Sequence, residues 1–433
     1  PGYRPTRCRG GWDHGGVVSK AVVIVGGGLI GLSSALFLTE AGAEVTIIDN
    51  GALGGGAARG NAGFMCTAIV EPLPAPGAIG DALKSLRDPQ RALRVLPKAI
   101  PQMTPWLVAF ARNCTTSRYQ SGRAALARFN RNSSAILERL ASQGVAVSLS
   151  RELLVPYHDV AKAEHHFAAL QKMVEFGARI PDRVVDGDEL RKIAPALTDH
   201  IRAGLVMPGD RSIDPRRYVD SIIEILASRK VRVLEHTEVT KVQSVDDRVL
   251  SVSTSAGIIE GEEFVLAAGA GSRLLAKHFD LHLSVIPGQG YNVALPTSPG
   301  LQQPVIFEEV HAVATPFEDR IRLGGTMEFG GDHPPFDQRR VEMIVASMKA
   351  FLDLDWEHRF DTWAGSRPMS ADGLPFMGRP KRWRNVVVGA GHGMFGLTLA
   401  PPSGVAIAEL VMSGRSFTDI SAFDPDRNPL RRR

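Results

Sequence analysis

The chain has 433 residues and 44% apolar content, enough for a large buried core and, at roughly 150 residues per domain, for two or three domains. A net charge of +4 spread over this length is no nucleic-acid footprint. Its three cysteines, Cys8, Cys66 and Cys114, are odd in number and form no CxxC pair, which argues against a disulfide framework or zinc site and for a reducing cytosol.

Residues 1–18 hold Gly, Pro and Arg but no apolar h-region, so they read as a disordered leader and not a signal peptide. No apolar run approaches the ~18 residues of a membrane span, so no spanning helix is expected. Residues 21–25, Ala-Val-Val-Ile-Val, have the pattern of a strand buried on both faces of a parallel sheet. Gly26, Gly28 and Gly31 follow as G-x-G-x-x-G, then a helix to about Ala41 closed by Gly42 and a second strand over 44–49. Asp49 stands 18 residues after Gly31. Gly26 permits a tight turn, Gly28 lets backbone approach a pyrophosphate, and Gly31 lets helix and strand pack. The helix N-terminus offers free N–H groups to phosphate, and Asp49 can accept from ribose hydroxyls. With strand, helix and acid in register, this predicts a dinucleotide site.

The small-residue run 51–65 then breaks the βαβ repeat, as backbone passing close to a large flat cofactor would. Residues 81–115 read as helical pieces punctuated by prolines, with 105–111 packing in the core. A long helix is expected over 120–143, strands near 145–149 and 152–156, and a helix near 161–176. Pro215 suits the first turn of a helix running to about Arg229, capped by Asp214. Short strands fill 231–267 before Gly269 and Gly271; more strands fill 285–326, a helix covers 337–352, and a strand over 385–388 precedes Gly-Ala-Gly-His-Gly-Met-Phe-Gly. A last helix runs from about Pro402 to Met412, ahead of a tail. His165 and His166 sit on a helix as solvated residues, and no metal site is expected.

Strands that return to glycine at 26, 269 and 389–396 imply one discontinuous α/β domain. A Rossmann-like domain is assigned to 19–80, 182–284 and 365–415. A second, α+β domain on a mixed or antiparallel sheet takes 81–181 and 285–364, with 416–433 as tail. The ligand would lie between the two.

The segments from Val22 to Asp49, "GNAGFM", "RNCTTSRY", "PGDRSIDP", "LAAGAG", "RLGGTMEF", "WAGSRPMSADGLPFMG" and "GHGMFGLTLAPPSG" together resemble the D-amino-acid oxidase superfamily of FAD-dependent oxidoreductases, most nearly its bacterial D-amino acid dehydrogenase branch. The resemblance implies non-covalent FAD, since no cysteine lies in the C-terminal segment to form a thioether, and Cys66 is expected to be a buried small residue. It places Gly26, Gly28, Leu29, Ile30 and Gly31 at the pyrophosphate. Asp49, where the family usually has Glu, falls at the ribose. Asn61, Ala62 and Gly63 fall along the flavin ring, Val239 and Gly269 beside the cofactor, and Gly391, Gly393, Met394, Gly396, Leu397 and Thr398 at the pyrimidine edge.

Arg367 would pair its planar guanidinium with the substrate carboxylate and so hold Cα–H over flavin N5. Tyr291 is either a second substrate contact or a core tyrosine. His392 is either a flavin or substrate contact or a structural histidine, and no side-chain base is required at Cα. The implied reaction is oxidative deamination of a D-amino acid to an imino acid, which water converts to a 2-oxo acid and ammonia. Electrons would pass to a quinone, O₂ or another carrier. An O₂-using oxidase of a secondary amine or unusual amino acid (sarcosine, glycine, a cyclic imino acid) stays open, as does a flavin subunit that needs a partner chain. The expected location is the cytoplasm; peripheral contact with the inner face of the cell membrane, through 81–115, and the oligomeric state stay open.

Overall fold

Ala21–Val25 is apolar throughout because it lies inside a six-stranded sheet, between Glu263–Leu266 and Glu44–Ile48. In spatial order the strands are Phe376–Gly378, Val386–Ala390, Glu263–Leu266, Ala21–Val25, Glu44–Ile48 and Arg232–Leu234. All pair in parallel except the antiparallel edge strand Phe376–Gly378. The computed structural model describes residues 19–66, 70–80, 91–147, 150–176, 178–332 and 334–427. The expected leader, 1–18, lies outside them.

Helices Leu29–Glu40 and Gly396–Ser413 cover one face of this sheet. They approach closely because residue 404 is glycine: a Cβ there would lie 2.7 Å from the Ser33 carbonyl oxygen. The other face packs Val23, Val25 and Phe264 against a three-stranded sheet of Val239–Val245, Arg248–Thr254 and Gly257–Glu260.

The second sheet has nine strands. Eight run in the order Phe360–Ser370, Val285–Leu295, Ile321–Phe329, Ala312–Pro316, Val305–Phe307, Leu153–Tyr157, Ala203–Met207 and Val185–Asp186, and Leu93–Val95 adds to Ile321–Phe329 in parallel. Its back face buries Tyr291, Val293, Leu323 and Phe307 with Val341 and Ile344 of helix Gln338–Met348. Its front face turns to the first sheet.

Several expectations are corrected. Segment 182–284 contributes to both sheets, because Val185–Asp186 and Ala203–Met207 pair in the larger one. Arg367 belongs to the larger sheet too, on a strand antiparallel to Val285–Leu295. The helix expected over 120–143 is two, Thr116–Asn130 and Ser133–Ser142, and both bury apolar residues against the first domain's helices. Residues 416–427 are no loose tail: Phe423 is 1% exposed, and Arg427 pairs with Asp372 at 2.8 Å. Residues 81–90 and 148–149 lie outside the described residues, so part of the 81–115 reading and of the 145–149 strand falls there. Within 91–113 the chain forms strand Leu93–Val95 as well as helix Ile100–Asn113, whose Trp106 and Phe110 are buried.

The C-terminal helix begins at Gly396, with Pro401 and Pro402 inside it. Burial against Leu29–Glu40 overrides the proline penalty. By length and apolarity alone, Gly393–Ser413 is long enough to cross a membrane, with a mean hydropathy of 1.4; 72% of that window is buried inside the fold. His166 is half-buried, not solvated, its Nδ1 lying 2.6 Å from the Tyr157 hydroxyl.

Candidate active site

Between the two sheets lies a cavity of about 1380 Å³. Drug-sized ligands occupy roughly 300–1,000 Å³, so this one has room for a dinucleotide and a second small molecule. Its nucleotide end is built as the glycine spacing requires. A Cβ on Gly26 would lie 2.4 Å from the Ala267 carbonyl oxygen, and one on Gly31 would lie 1.8 Å from that of Gly26, so both positions demand the closest packing. A Cβ on Gly28 would meet nothing within 4 Å, leaving open space before the N-terminus of Leu29–Glu40. No side chain caps that helix and no acid occupies its first turn, so its amide N–H groups and positive end face the cavity uncompensated.

Asp49 lines the same end, just past strand Glu44–Ile48. Its Oδ2 accepts from Gly27 N–H at 2.6 Å and its Oδ1 from Gly51 N–H at 2.8 Å. An ionised carboxylate offers about four acceptor sites, so capacity for hydroxyls remains. The residues present therefore fit FAD: a cradle without side chains, an uncapped helix N-terminus and a fixed acid.

Beyond Asp49 the loop 59–63 is tied to the front face of the larger sheet, carbonyl by carbonyl. Arg322 donates to the carbonyls of Arg59 (3.1 Å) and Asn61 (2.6 Å), Asn292 to that of Gly60 (2.8 Å) and Thr315 to that of Ala62 (2.7 Å). Burial pushes Arg322 down to about 10, with Arg320 and Arg216 adding to the shift, and it stays charged at neutral pH. Asn61 Oδ1 accepts from Gly63 N–H at 2.8 Å. Gly63 itself is left-handed (φ 88°) and packs against Ile213, outside the cavity lining. Thr398 ties the loop to the C-terminal helix, donating to the Phe64 carbonyl at 3.1 Å and accepting from Cys66 N–H at 3.2 Å. Burial raises the Cys66 thiol well above its usual range, which leaves it inert.

Arg367 projects over bare backbone. A Cβ on Gly290 of the neighbouring strand would sit 2.1 Å from its Nη1, so the guanidinium occupies the place of a side chain. Its Nη1 donates to the Thr326 carbonyl at 2.9 Å. That carbonyl is aimed by a β-bulge, in which Thr326 and Met327 together oppose Gly290. Thr326 is left-handed (φ 60°), a costly conformation for a β-branched residue. Burial pushes Arg367 down to about 10, still a cation at neutral pH. Among the described residues, no carboxylate lies within 4.0 Å of it. A desolvated guanidinium whose acceptors are both neutral, the Thr326 carbonyl and the Met327 sulfur at 3.7 Å, is short of an anion.

The two other predicted catalytic positions behave differently. Residues 290 and 291 alternate across the sheet, so Tyr291 points to the back face. It is 2% exposed there, and its hydroxyl accepts from Gln289 (2.8 Å) and donates to Glu328 (3.3 Å). Tyr291 also borders the cavity, but its hydroxyl is engaged by Gln289 and Glu328, so this geometry carries no substrate contact for it. His392 lines the cavity but is 4% exposed, with Nε2 2.9 Å from the Ser403 hydroxyl. Burial pushes it down to about 3, so it is neutral and partnered.

Leu29, Ile30, Ala62, Val239, Gly269, Gly391, Gly393, Met394 and Gly396 line the cavity. Leu397 does not; it is 1% exposed in the core under the C-terminal helix. Arg322, Asn292, Thr315 and Thr326 were not anticipated. The available signal was an arginine and an asparagine at front-face positions of otherwise apolar strands.

A family profile described as FAD dependent oxidoreductase (DAO) matches residues 21–410. A D-amino acid dehydrogenase of Vibrio vulnificus (strain CMCP6) is 30% identical over 419 residues, covering 92% of this chain and 97% of its own. One from Paramagnetospirillum magneticum is 30% identical over 415 residues, covering 94% and 98%. The solved glycine oxidase from Geobacillus kaustophilus shares the fold at TM-score 0.75 and 21% identity, over 95% of this chain and 99% of its own.

Proposed function

The chain belongs to the DAO family of FAD-dependent oxidoreductases, and from that premise we propose that it dehydrogenates a D-amino acid at its Cα–N bond. The observation that carries this reading is Arg367: a desolvated cation without a carboxylate partner, facing a cavity continuous with a dinucleotide cradle. An amino acid's carboxylate completes it through two parallel charge-assisted hydrogen bonds.

FAD, when bound, supplies the hydride acceptor. The chain supplies placement. Gly26 and Gly28, with the amides that open Leu29–Glu40, hold the pyrophosphate, and Asp49 accepts from the ribose hydroxyls. Arg322, Asn292 and Thr315 fix the peptide planes of 59–63 beside the ring system. The N-terminal end of Gly396–Ser413, also without a side-chain cap and lining the cavity, would offer its positive pole to the negative charge of a reduced cofactor. Arg367 anchors the carboxylate and leaves Cα–H as the variable that orientation controls. The amine lone pair closes C=N as the hydride leaves Cα. Water hydrolyses the released imino acid to a 2-oxo acid and ammonia. His392 is neutral and bonded to Ser403, and it is assigned no proton transfer.

Anaerobic mixing with matched D- and L-amino acids tests the reading: D-enantiomers should bleach the flavin, and L-enantiomers should not. Arg367→Ala should retain the flavin spectrum while losing about 2–5 kcal/mol of substrate binding, roughly 30-fold or more. Turnover unchanged in that variant removes the carboxylate role.

A further inference from the structure

Besides Arg367 and Arg322, the front face of the larger sheet carries a charged residue that the reaction does not use. Glu308 follows strand Val305–Phe307 and lines the cavity. The alternation of that strand explains why: Phe307 packs into the back-face core, while Ile306 and Glu308 face the cavity. Nearby Glu71 is engaged, paired with Arg123 at 3.1 Å and bonded to the Tyr119 hydroxyl. Glu308 has no such partner: among the described residues no cation lies within 4.0 Å of its carboxylate and no side-chain hydrogen bond reaches it. Burial, then the charge of Glu71, pushes its carboxyl up, as expected of an anion that lacks a counter-charge.

Glu308 stands at a definite place relative to Arg367. The Arg367 guanidinium rests on the Thr326 carbonyl of strand Ile321–Phe329. Gly325 of that strand is level with Ala312, and Ala312 with Phe307. Two strand spacings, about 10 Å, therefore separate the arginine's anchor from the start of Glu308. At the arginine's end, Thr326 Oγ1 is a hydroxyl without a hydrogen-bond partner, on a residue 9% exposed that also lines the cavity. The cavity lining thus includes a cation with a free hydroxyl beside its anchor and, two strands away, an anion.

Resting on the amino-acid reading above, we propose that the substrate is a basic amino acid, its carboxylate on Arg367 and its side-chain cation on Glu308. A lysine carboxyl carbon and ω-nitrogen are six bonds of about 1.5 Å apart, roughly 7.5 Å when extended. That length is on the scale of the ~10 Å between the arginine's anchor and the start of Glu308.

The test compares D-lysine with D-norleucine, which has the same chain without the ammonium, in anaerobic flavin reduction. It also compares binding of 6-aminohexanoate with hexanoate, read as perturbation of the flavin spectrum. Wild type should prefer the cationic member of each pair by about tenfold or more, and Glu308→Gln should bring both ratios close to one. Equal reduction by D-lysine and D-norleucine in wild type overturns the proposal and leaves the D-amino acid reading standing. Ratios that survive in Glu308→Gln overturn the assignment to Glu308. If no amino acid reduces the flavin but 6-aminohexanoate still outbinds hexanoate, the reaction is wrong and the cation site stands.

Discussion

The guanidinium of Arg367 lies against the backbone of Gly290, in the space a side chain on Gly290 would fill: a Cβ there would be 2.3 Å from Cζ and 2.1 Å from Nη1. One strand supplies the cation and its neighbour supplies the missing atom that lets the cation lie flat over the cavity. The guanidinium's position is therefore a property of the pair.

Gly290→Ala should mimic loss of Arg367. The methyl group displaces the guanidinium by about an ångström, and misplacement on that scale can cost on the order of 100-fold in rate. Steady-state kinetics should show a raised KM for the carboxylate substrate, with FAD binding intact because Gly290 lies away from the nucleotide end. An unchanged KM would detach the two residues.

Thr326→Gly should separate stability from activity. The left-handed φ of 60° costs a residue with a Cβ roughly 1–2 kcal/mol, which glycine avoids. The melting temperature should rise or hold, while the freer carbonyl anchors Arg367 less firmly and substrate binding weakens. A fall in melting temperature would mean that the threonine side chain contributes more than its backbone costs.

Arg322→Met should loosen the cofactor and not the substrate. The carbonyls of Arg59 and Asn61 lose a charged donor. Such bonds are worth about 1.5–3 kcal/mol each, so the FAD dissociation constant should rise at least about tenfold. Titration of the apoprotein with FAD, followed by flavin fluorescence, measures it. Tight FAD binding in the variant would show that the loop holds its shape without the clamp.

His392 makes a signed prediction about pH. Its folded pKa is near 3 and its unfolded value near 6.5. Between them the unfolded chain binds the extra proton, so stability falls as pH drops below about 6.5, by up to ~1.4 kcal/mol per unit. His392→Asn should be less stable at pH 8 but lose less on acidification from pH 6.5 to 5. Denaturant melts at the three pH values give the slopes, and parallel slopes in both proteins would remove His392 as a contributor.

Local pattern carried the nucleotide end. The run Ala21–Val25, the three glycines, the helix and Asp49 are contiguous within 29 residues, and each acts on a neighbour in sequence, so spacing alone placed them. Asp214 capping Pro215–Ser228 was legible for the same reason, as the cap bonds Arg216 N–H two residues on. Arg367 was singled out through the family resemblance of its motif, and the structure places it on the cavity. The two-helix break after Asn130, the proline-bearing start of Gly396–Ser413 and the docking of 416–427 were not, because in each case distant burial decides against local propensity.

By itself the sequence determined which residues bend, pack and cap within a few positions of one another, and hence the cradle for a dinucleotide. Only the tertiary structure decided what faces the cavity. A strand's alternation separates Tyr291 from Gly290, but which side meets the first domain depends on pairings such as Gly288 with Arg367 and Gly325 with Ala312. Arg322 reaching the carbonyl of Asn61, 261 positions away, has no local trace. Nor does Glu308, because the cations of the described residues near it are paired elsewhere, Arg123 with Glu71 and Lys162 with Glu309. The physical reason is the same throughout: covalent neighbours constrain backbone conformation directly, whereas a buried charge takes its role from partners that chain closure alone brings near.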